Sequence, residues 1–282
     1  HATSPYQQPH PWKAATKSIE LLKKFKNAEQ PFFLATGLVR PHYPNVAPTR
    51  YFSAYPFKQM NLPFVPAGDW EDMPKAAISG SNSKRFGIDK FQDNQKRMWA
   101  GYLATVTFMD EQVGRILRVL KELGLDQNTA VMFTSDHGYL LGEHHFWQKG
   151  NLREEVTRVP LIMKVPGQKP AKNSSMVELV DMFPTACDLT GLPIPKSVQG
   201  TSLLPILKTP KASVKKTAFS FAGGGISMRT RNWSYMKYKD GSEELYDMIK
   251  DPKQFNNLAK VSSMEKELQS QRKLFEKRKS SL

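Results

Sequence analysis

The sequence has only one cysteine, Cys187, and no apolar run that approaches the length of a membrane span. A single cysteine excludes an intrachain disulfide and a zinc site built from cysteines. A membrane-spanning helix needs about 20 consecutive apolar residues, whereas the longest run here, residues 31–39, already contains Thr36 and Gly37. No signal peptide or initiator methionine precedes His1, and we therefore expect that an upstream portion is missing.

Acidic residues are few compared with basic ones. The 282 residues include 41 Lys and Arg against 26 Asp and Glu, which gives a formal net charge of +15. Such a surplus indicates an anionic partner, whether a nucleic acid, an anionic membrane or a sulfated or phosphorylated substrate, although a basic surface kept for solubility explains it equally well. No nucleic-acid-binding motif accompanies the charge, so specific nucleic-acid binding ranks last.

Short apolar runs separated by helical patterns predict an α/β fold with a mostly parallel sheet flanked by helices. Buried strands are expected at Pro31–Thr36, Thr129–Thr134 and Val159–Val165. Apolar residues recur at helical spacing over 12–22 and 98–120, with Asp93 as a plausible N-cap of the second helix.

The pattern changes beyond about Pro210. Short runs at 217–222, 226–230 and 233–238, the last followed by Asp240-Gly241, predict a small antiparallel sheet, and 263–279 predicts a terminal helix. We therefore expect a large α/β domain over 1–210 and a small antiparallel subdomain over 211–282.

Residues able to bind a ligand follow the strand predicted at 129–134. Asp136 and His137 offer a carboxylate and an imidazole nitrogen, which suit a divalent cation. Gly138 permits a sharp turn beside them. The carboxyl end of such a strand is where open α/β sheets hold their ligands. An Asp-His turn without a ligand is the alternative.

Further candidates lie in the same loop and after the first predicted strand. The loop contains His144, His145 and Lys149, of which either histidine could instead be a hydrogen-bonded structural residue. His42 stands between Pro41 and Pro44, which we expect to hold its backbone extended. In one parallel sheet these groups would converge, and together they could bind a metal and an oxyanion.

A series of segments in chain order resembles the sulfatase family, and specifically its iduronate-2-sulfatase-like branch. The matching segments cover nearly the whole chain and are Thr105-Val-Thr-Phe-Met-Asp110, Val113-Gly114, Thr134-Ser-Asp-His-Gly-Tyr-Leu-Leu-Gly-Glu-His144, Val159-Pro-Leu-Ile-Met163, Val180-Asp-Met-Phe-Pro-Thr185, Leu189-Thr-Gly-Leu-Pro193, Gly200-Thr-Ser-Leu-Leu204, Glu244-Leu-Tyr-Asp247, Asp251-Pro252 and Asn257-Leu258. The resemblance implies an alkaline-phosphatase-like fold with a small C-terminal antiparallel subdomain.

The resemblance also implies roles for individual residues. Asp136 and His137 match the family's second pair of calcium ligands. Lys149 and His42 match residues that contact the sulfate, and we assign both to catalysis and substrate binding. Tyr139 and His144 are further candidates for substrate binding.

The family's nucleophile, a formylglycine made from the cysteine of a Cys-x-Pro/Ala-x-Arg motif, has no counterpart here. Cys187 lies on the apolar side of a predicted helix and is expected in the core. Val46-Ala-Pro-Thr-Arg50 resembles the end of the motif, but Val46 has no nucleophilic atom. The first calcium ligands are missing too, so the calcium shell would be incomplete.

The chain therefore resembles the C-terminal portion of a sulfatase, and the missing N-terminal segment is its expected partner. The expected function is hydrolysis of a sulfuric ester on a sulfated sugar, in an exported protein. The alternatives are a phosphate or phosphonate ester hydrolase of the same superfamily and a non-catalytic polyanion-binding protein.

Overall fold

The computed structural model describes residues 10–78, 87–88, 90–209, 211–222 and 224–280, and the chain divides into two units. The first unit is His1–Pro63 with Ser83–Val131, and the second is Phe64–Asn82 with Met132–Leu282. The domain boundary expected near residue 210 stays a prediction.

The described chain contains both helices and strands. The α-helices are α1 His10–Lys26, α2 Lys75–Ile78, α3 Gln92–Glu122, α4 Glu154–Thr157, α5 Met182–Thr190, α6 Leu204–Lys208 and α7 Glu265–Lys279. The strands are β1 Val131–Thr134, β2 Leu140–Leu141, β3 Trp147–Gln148, β4 Leu161–Lys164, β5 Ala218–Ala222, β6 Gly225–Arg229, β7 Trp233–Tyr238 and β8 Glu243–Asp247. None of the described helices is both long and apolar enough to cross a membrane.

The first unit is built on the two helices that the apolar spacing predicts. Helix α1 packs against α3, and Ala104 and Phe108 of α3 form a buried cluster with Ala47 and Tyr51. Helix α3 begins at Gln92, so Asp93 lies in its first turn, where its charge favours the helix N-terminus, and is not the N-cap.

The strand predicted at Pro31–Thr36 does not form. These residues have no regular secondary structure, and the side chain of Phe33 is 85% exposed. An apolar run becomes a strand only when a neighbouring strand supplies hydrogen-bond partners. None of the described strands pairs with this segment.

The second unit contains the antiparallel sheet, in the order β5-β6-β7-β8. Phe219, Met228, Tyr235 and Leu245 are successive cross-strand partners in a row across it. Leu268 and Phe275 of α7 pack on this row in one buried cluster. The other face carries Met236, Tyr238, Tyr246 and Met248, which form a second cluster with Leu152 and Ala77. The sheet is therefore covered on both faces, which makes its register specific.

Two shorter pairs of strands position the loop that carries the candidate site. β1 pairs with β4, and β2 pairs antiparallel with β3. The structure is thus a mixed helix and sheet fold, while the large parallel sheet stays a prediction.

One buried ion pair connects this loop to the antiparallel sheet. The guanidinium of Arg153 donates to the carboxylate of Glu244 over 2.6 Å, and both side chains are buried. The phenols of Tyr238 and Tyr246 also donate to Glu244. Burial lowers the pKa of Arg153, but the charge of Glu244 and the two phenols outweigh it and raise that pKa above its ordinary value. Arg153 therefore stays charged.

Replacing Arg153 should destabilise the protein strongly. Arg153→Met leaves the Glu244 carboxylate buried without its cation, which typically costs about 3–5 kcal/mol in the free energy of unfolding. The double variant Arg153→Met with Glu244→Gln should recover part of this loss, because no uncompensated charge remains. Urea denaturation measures both.

The matched control is the exposed pair between Lys17 and Glu20, whose atoms are 3.0 Å apart. Lys17→Ala should leave the urea midpoint nearly unchanged, since exposed pairs contribute little. Equal shifts of the urea midpoint in Lys17→Ala and Arg153→Met would contradict the claim that the buried pair stabilises the protein more than the exposed pair does.

Candidate active site

His137 and Lys149 are in direct contact. The Nδ1 atom of His137 lies 2.7 Å from the carbonyl oxygen of Gly138. A carbonyl only accepts, so Nδ1 carries the proton and Nε2 is left with its lone pair. The ammonium of Lys149 lies 2.7 Å from that Nε2 atom and donates to it.

Asp136 adds a carboxylate to this pair. Its Oδ1 atom accepts a hydrogen bond from the His137 N–H over 3.0 Å, and its Oδ2 atom is 3.7 Å from His137 Nε2. The Asp136 side chain is largely exposed and the His137 side chain partly so. A carboxylate, an imidazole nitrogen and an ammonium therefore meet where a ligand can reach them.

This set supplies part of a metal shell. Asp136 and His137 provide donors of the kinds that a divalent cation accepts, but calcium takes about six to eight ligands. Within the described residues, no group of three His, Cys, Asp or Glu side chains is arranged to hold a metal ion. A cation would also have to displace Lys149 from Nε2, because that lone pair accepts the ammonium.

Gly138 is needed for close approach of two backbones rather than for a left-handed turn. Its N–H donates to the carbonyl oxygen of Val156 over 2.7 Å, and the N–H of Tyr139 donates to Glu155 over 3.0 Å. A Cβ atom at Gly138 would lie 1.9 Å from the Glu155 carbonyl oxygen. Gly138 is outside the left-handed region, so close approach is the requirement that the structure shows, and the sharp turn predicted from the sequence stays a prediction.

Lys149 is positioned by the hairpin of β2 and β3. Leu140 is the register partner of Gln148, which directly precedes Lys149, and Leu141 is the partner of Trp147. Leu140, Leu141 and Trp147 are buried. The hairpin thus anchors the backbone of Lys149 while its ammonium is exposed.

His144 lies inside the protein. Its Nδ1 atom is 2.9 Å from the carboxylate of Asp69, and its Nε2 atom is 2.8 Å from the carbonyl oxygen of Lys253. Both ring nitrogens are therefore engaged by the protein. This geometry supports the alternative of a structural histidine, while a role of His144 in substrate binding stays a prediction. Asp69 was not found from the sequence, because no local pattern marks a partner 75 residues away.

The remaining candidates are divided between the two units. His42 lies in the first unit, in a turn closed by its N–H on the carbonyl oxygen of Val39. The guanidinium of Arg40 donates to the carbonyl oxygens of His42 and Val46 and holds this turn, so the extended backbone expected for His42 is wrong. Its convergence with Lys149 stays a prediction, as does the role of Tyr139 in substrate binding. Cys187 is buried in α5, as expected of a core residue.

Two protein-family models match the chain. The model described as Sulfatase matches residues 4–192, and the model described as N-sulphoglucosamine sulphohydrolase, C-terminal, matches residues 142–280. The first match alone covers more than half of the chain.

Similar proteins agree with these models. A sulfatase of Formosa agariphila is 32% identical over 85% of this chain and 48% of its own length. The iduronate 2-sulfatase of Mus musculus is 34% identical over 64% of this chain and 39% of its own length. The chain thus spans about half the length, or less, of these curated relatives.

Solved structures show the same fold. The phosphonate monoester hydrolase of Silicibacter pomeroyi superposes with a TM-score of 0.80 and 26% identity, over 94% of this chain and 60% of its own. Sulfatases of the alkaline-phosphatase-like fold also match. The alkaline-phosphatase-like fold expected from the sequence is therefore confirmed.

Gly138→Ala should disrupt the candidate site by steric overlap. The added Cβ atom forces the backbones of Gly138 and Glu155 apart, and overpacking of this kind typically costs about 1–3 kcal/mol. Thermal and urea unfolding measure the loss. Gly114→Ala in α3 is the matched control, because a Cβ atom there meets nothing within 4 Å. It should stabilise the helix slightly, and equal destabilisation by both variants would contradict the close-approach argument.

Proposed function

Because the chain belongs to the sulfatase family, we propose that it carries part of the active site of a sulfuric ester hydrolase acting on a sulfated sugar or polysaccharide. The observation that supports this most directly is the contact of Lys149 with His137 beside the carboxylate of Asp136. A sulfate ester presents a tetrahedral anion, for which an exposed ammonium is a suitable partner.

In this proposal Lys149 binds the sulfate oxygens and stabilises the charge that develops as the ester bond breaks. In this structure the Nε2 atom of His137 accepts a hydrogen bond from the ammonium, so calcium would bind His137 only after the ammonium moves from that nitrogen to the sulfate. His42 is a second contact to the sulfate, and Tyr139 and His144 remain candidates for substrate binding.

Asp136 and His137 are also the proposed calcium ligands. Calcium, when bound, supplies positive charge to the sulfate oxygens. The two side chains give a carboxylate and an imidazole nitrogen, and the rest of the shell belongs to residues outside this chain. We place the formylglycine nucleophile there as well, since Cys187 is buried and Val46 has no nucleophilic atom.

An upstream segment of the same enzyme is the proposed partner, and exposed apolar side chains support it. Phe33 is 85% exposed in the first unit, and Ile162 of β4 and Phe183 of α5 are 62% and 56% exposed in the second. Strands from an upstream segment would cover such groups and pair with open strand edges. Export from the cytoplasm is part of the proposal and rests on the family resemblance.

Two other functions have a specific observation in their favour. Similarity to a phosphonate monoester hydrolase supports phosphate or phosphonate ester hydrolysis, because Lys149 can bind either tetrahedral oxyanion. The net charge of +15 supports a non-catalytic polyanion-binding protein. Assays of sulfate, phosphate and phosphonate esters with the complete protein distinguish all three.

Lys149→Ala in the complete enzyme should lower turnover of a sulfate ester by about 100-fold or more, the usual effect of removing a positioned charge from a developing oxyanion. Thermal unfolding should be unchanged, because the side chain is exposed. Lys250→Ala, at another exposed lysine, is the control and should retain full turnover. An unchanged rate for Lys149→Ala would remove this residue from the site.

The isolated chain should hydrolyse no sulfate ester above background and should bind calcium weakly in calorimetry, because it lacks the nucleophile and most of the metal shell. Adding the upstream segment should restore activity, make it sensitive to chelators and raise the melting temperature. Turnover by the isolated chain that survives Cys187→Ala would show that the catalytic residues lie elsewhere.

A further inference from the structure

A second site of positive charge lies in the second unit. A cleft of about 700 Å³ opens between 172–176, 211–216, 230–233 and α7, and we call it the basic cleft. Its lining includes five basic side chains: Lys172, Lys211, Lys215, Lys216 and Arg231. No acidic side chain is among its described lining residues, and none of Asp136, His137 or Lys149 lines it.

Most of this charge is not neutralised by the protein. Lys215 is partly buried and contacts Glu178 and Asp181 at 2.6 and 2.7 Å. The other four side chains are exposed, and none of them forms an ion pair within the described part of the chain. The cleft therefore presents a concentrated positive surface to an anionic ligand.

Hydrogen bonds hold the walls of the cleft together. The side-chain amide of Asn173 donates to the carbonyl oxygen of Ala212 over 3.0 Å. The hydroxyl oxygens of Ser175 and Ser213 are 3.2 Å apart, and the N–H of Val214 donates to Ser175 over 3.3 Å. The segments that carry Lys172 and Lys216 are thus fixed to each other before any ligand arrives.

One residue that lines the cleft has a hydrogen-bond acceptor that no described residue uses. Gln271 of α7 is only 5% exposed and its amide nitrogen donates to Glu267, but its Oε1 atom has no hydrogen-bond partner among the residues that the structure describes. A buried polar atom without a hydrogen-bond partner costs folding free energy, so a ligand or a water molecule that donates to it is favourable. A sugar hydroxyl is a donor of the right kind.

Trp233 completes the lining with a half-buried indole ring. A broad aromatic surface packs well against the apolar face of a sugar ring, while the surrounding ammonium and guanidinium groups pair with its anionic substituents. The cations come from three separate segments. A ligand with several spaced anionic groups therefore fits better than a single phosphate.

From these contacts we propose that the basic cleft binds a sulfated sugar unit of a polysaccharide, as an anchoring site apart from the ester that is hydrolysed. Lys172, Lys216 and Arg231 pair with sulfate groups, Trp233 packs on the ring and Gln271 accepts from a hydroxyl. The proposal rests on the proposed function only for the identity of the ligand, a sulfated carbohydrate.

The test is calorimetric binding of a heparin-derived hexasaccharide to the full 282-residue chain at fixed salt concentration. The triple variant Lys172→Ala, Lys216→Ala and Arg231→Ala should bind at least tenfold more weakly. The control replaces three exposed lysines of α1, Lys13, Lys24 and Lys26, by alanine and so changes the net charge equally. It should weaken binding less than threefold.

Further arms distinguish the competing explanations. Trp233→Leu should weaken hexasaccharide binding about fivefold. If this variant does not fold, the triple variant still tests the proposal, because its three substitutions are at exposed positions. Equal losses in the triple variant and the α1 control would overturn the proposal, since net charge alone would then explain binding. Competition by single-stranded DNA as effective as that by the hexasaccharide would overturn the sugar assignment.

Lys149→Ala separates this proposal from the proposed function. Binding is measured without turnover, so the calorimetric result does not depend on whether the chain takes part in sulfate ester hydrolysis. If Lys149→Ala abolishes hexasaccharide binding and the triple variant does not, the affinity arises at the candidate active site and the basic cleft is not the binding site.

Discussion

The buried charge of Arg153 ties two parts of the second unit together. Its guanidinium contacts Glu244 of β8 and lies 5.0 Å from the centre of the Tyr246 ring, so the segment that follows Lys149 is held to the antiparallel sheet. A buried cation without this carboxylate would cost several kcal/mol. The antiparallel sheet therefore supports the loop that carries Lys149, although none of its strands carries one of the proposed reactive groups.

This arrangement explains why some segments that resemble sulfatases contain no reactive residue. Glu244 and Tyr246 form the buried network with Arg153. Asn257 accepts from the N–H of Leu245 over 3.0 Å, and its own N–H donates to Asp72 over 2.7 Å. Burial raises the pKa of Asp72, while the Asn257 N–H opposes that rise. These residues stabilise the packing of the second unit, whereas Asp136, His137 and Lys149 are exposed to a ligand.

The candidate active site and the basic cleft differ in the charges of their side chains. The candidate active site contains one carboxylate beside Lys149 and His137, so groups of both charge signs meet there. The basic cleft has no acidic side chain among its described lining residues and suits anions alone.

The sequence by itself determined α1, α3, α5, α7 and the turn at Gly241, because helices and tight turns form from hydrogen bonds between residues close in the chain. The ordered motifs also determined the family and placed Asp136, His137 and Lys149 in one loop. Only the tertiary structure decided which residues meet over long separations. Arg153 and Glu244 are 91 residues apart, and His144 and Asp69 are 75 apart. The failure of Pro31–Thr36 to form a strand has the same cause, since strand pairing and burial depend on partners that no local pattern specifies.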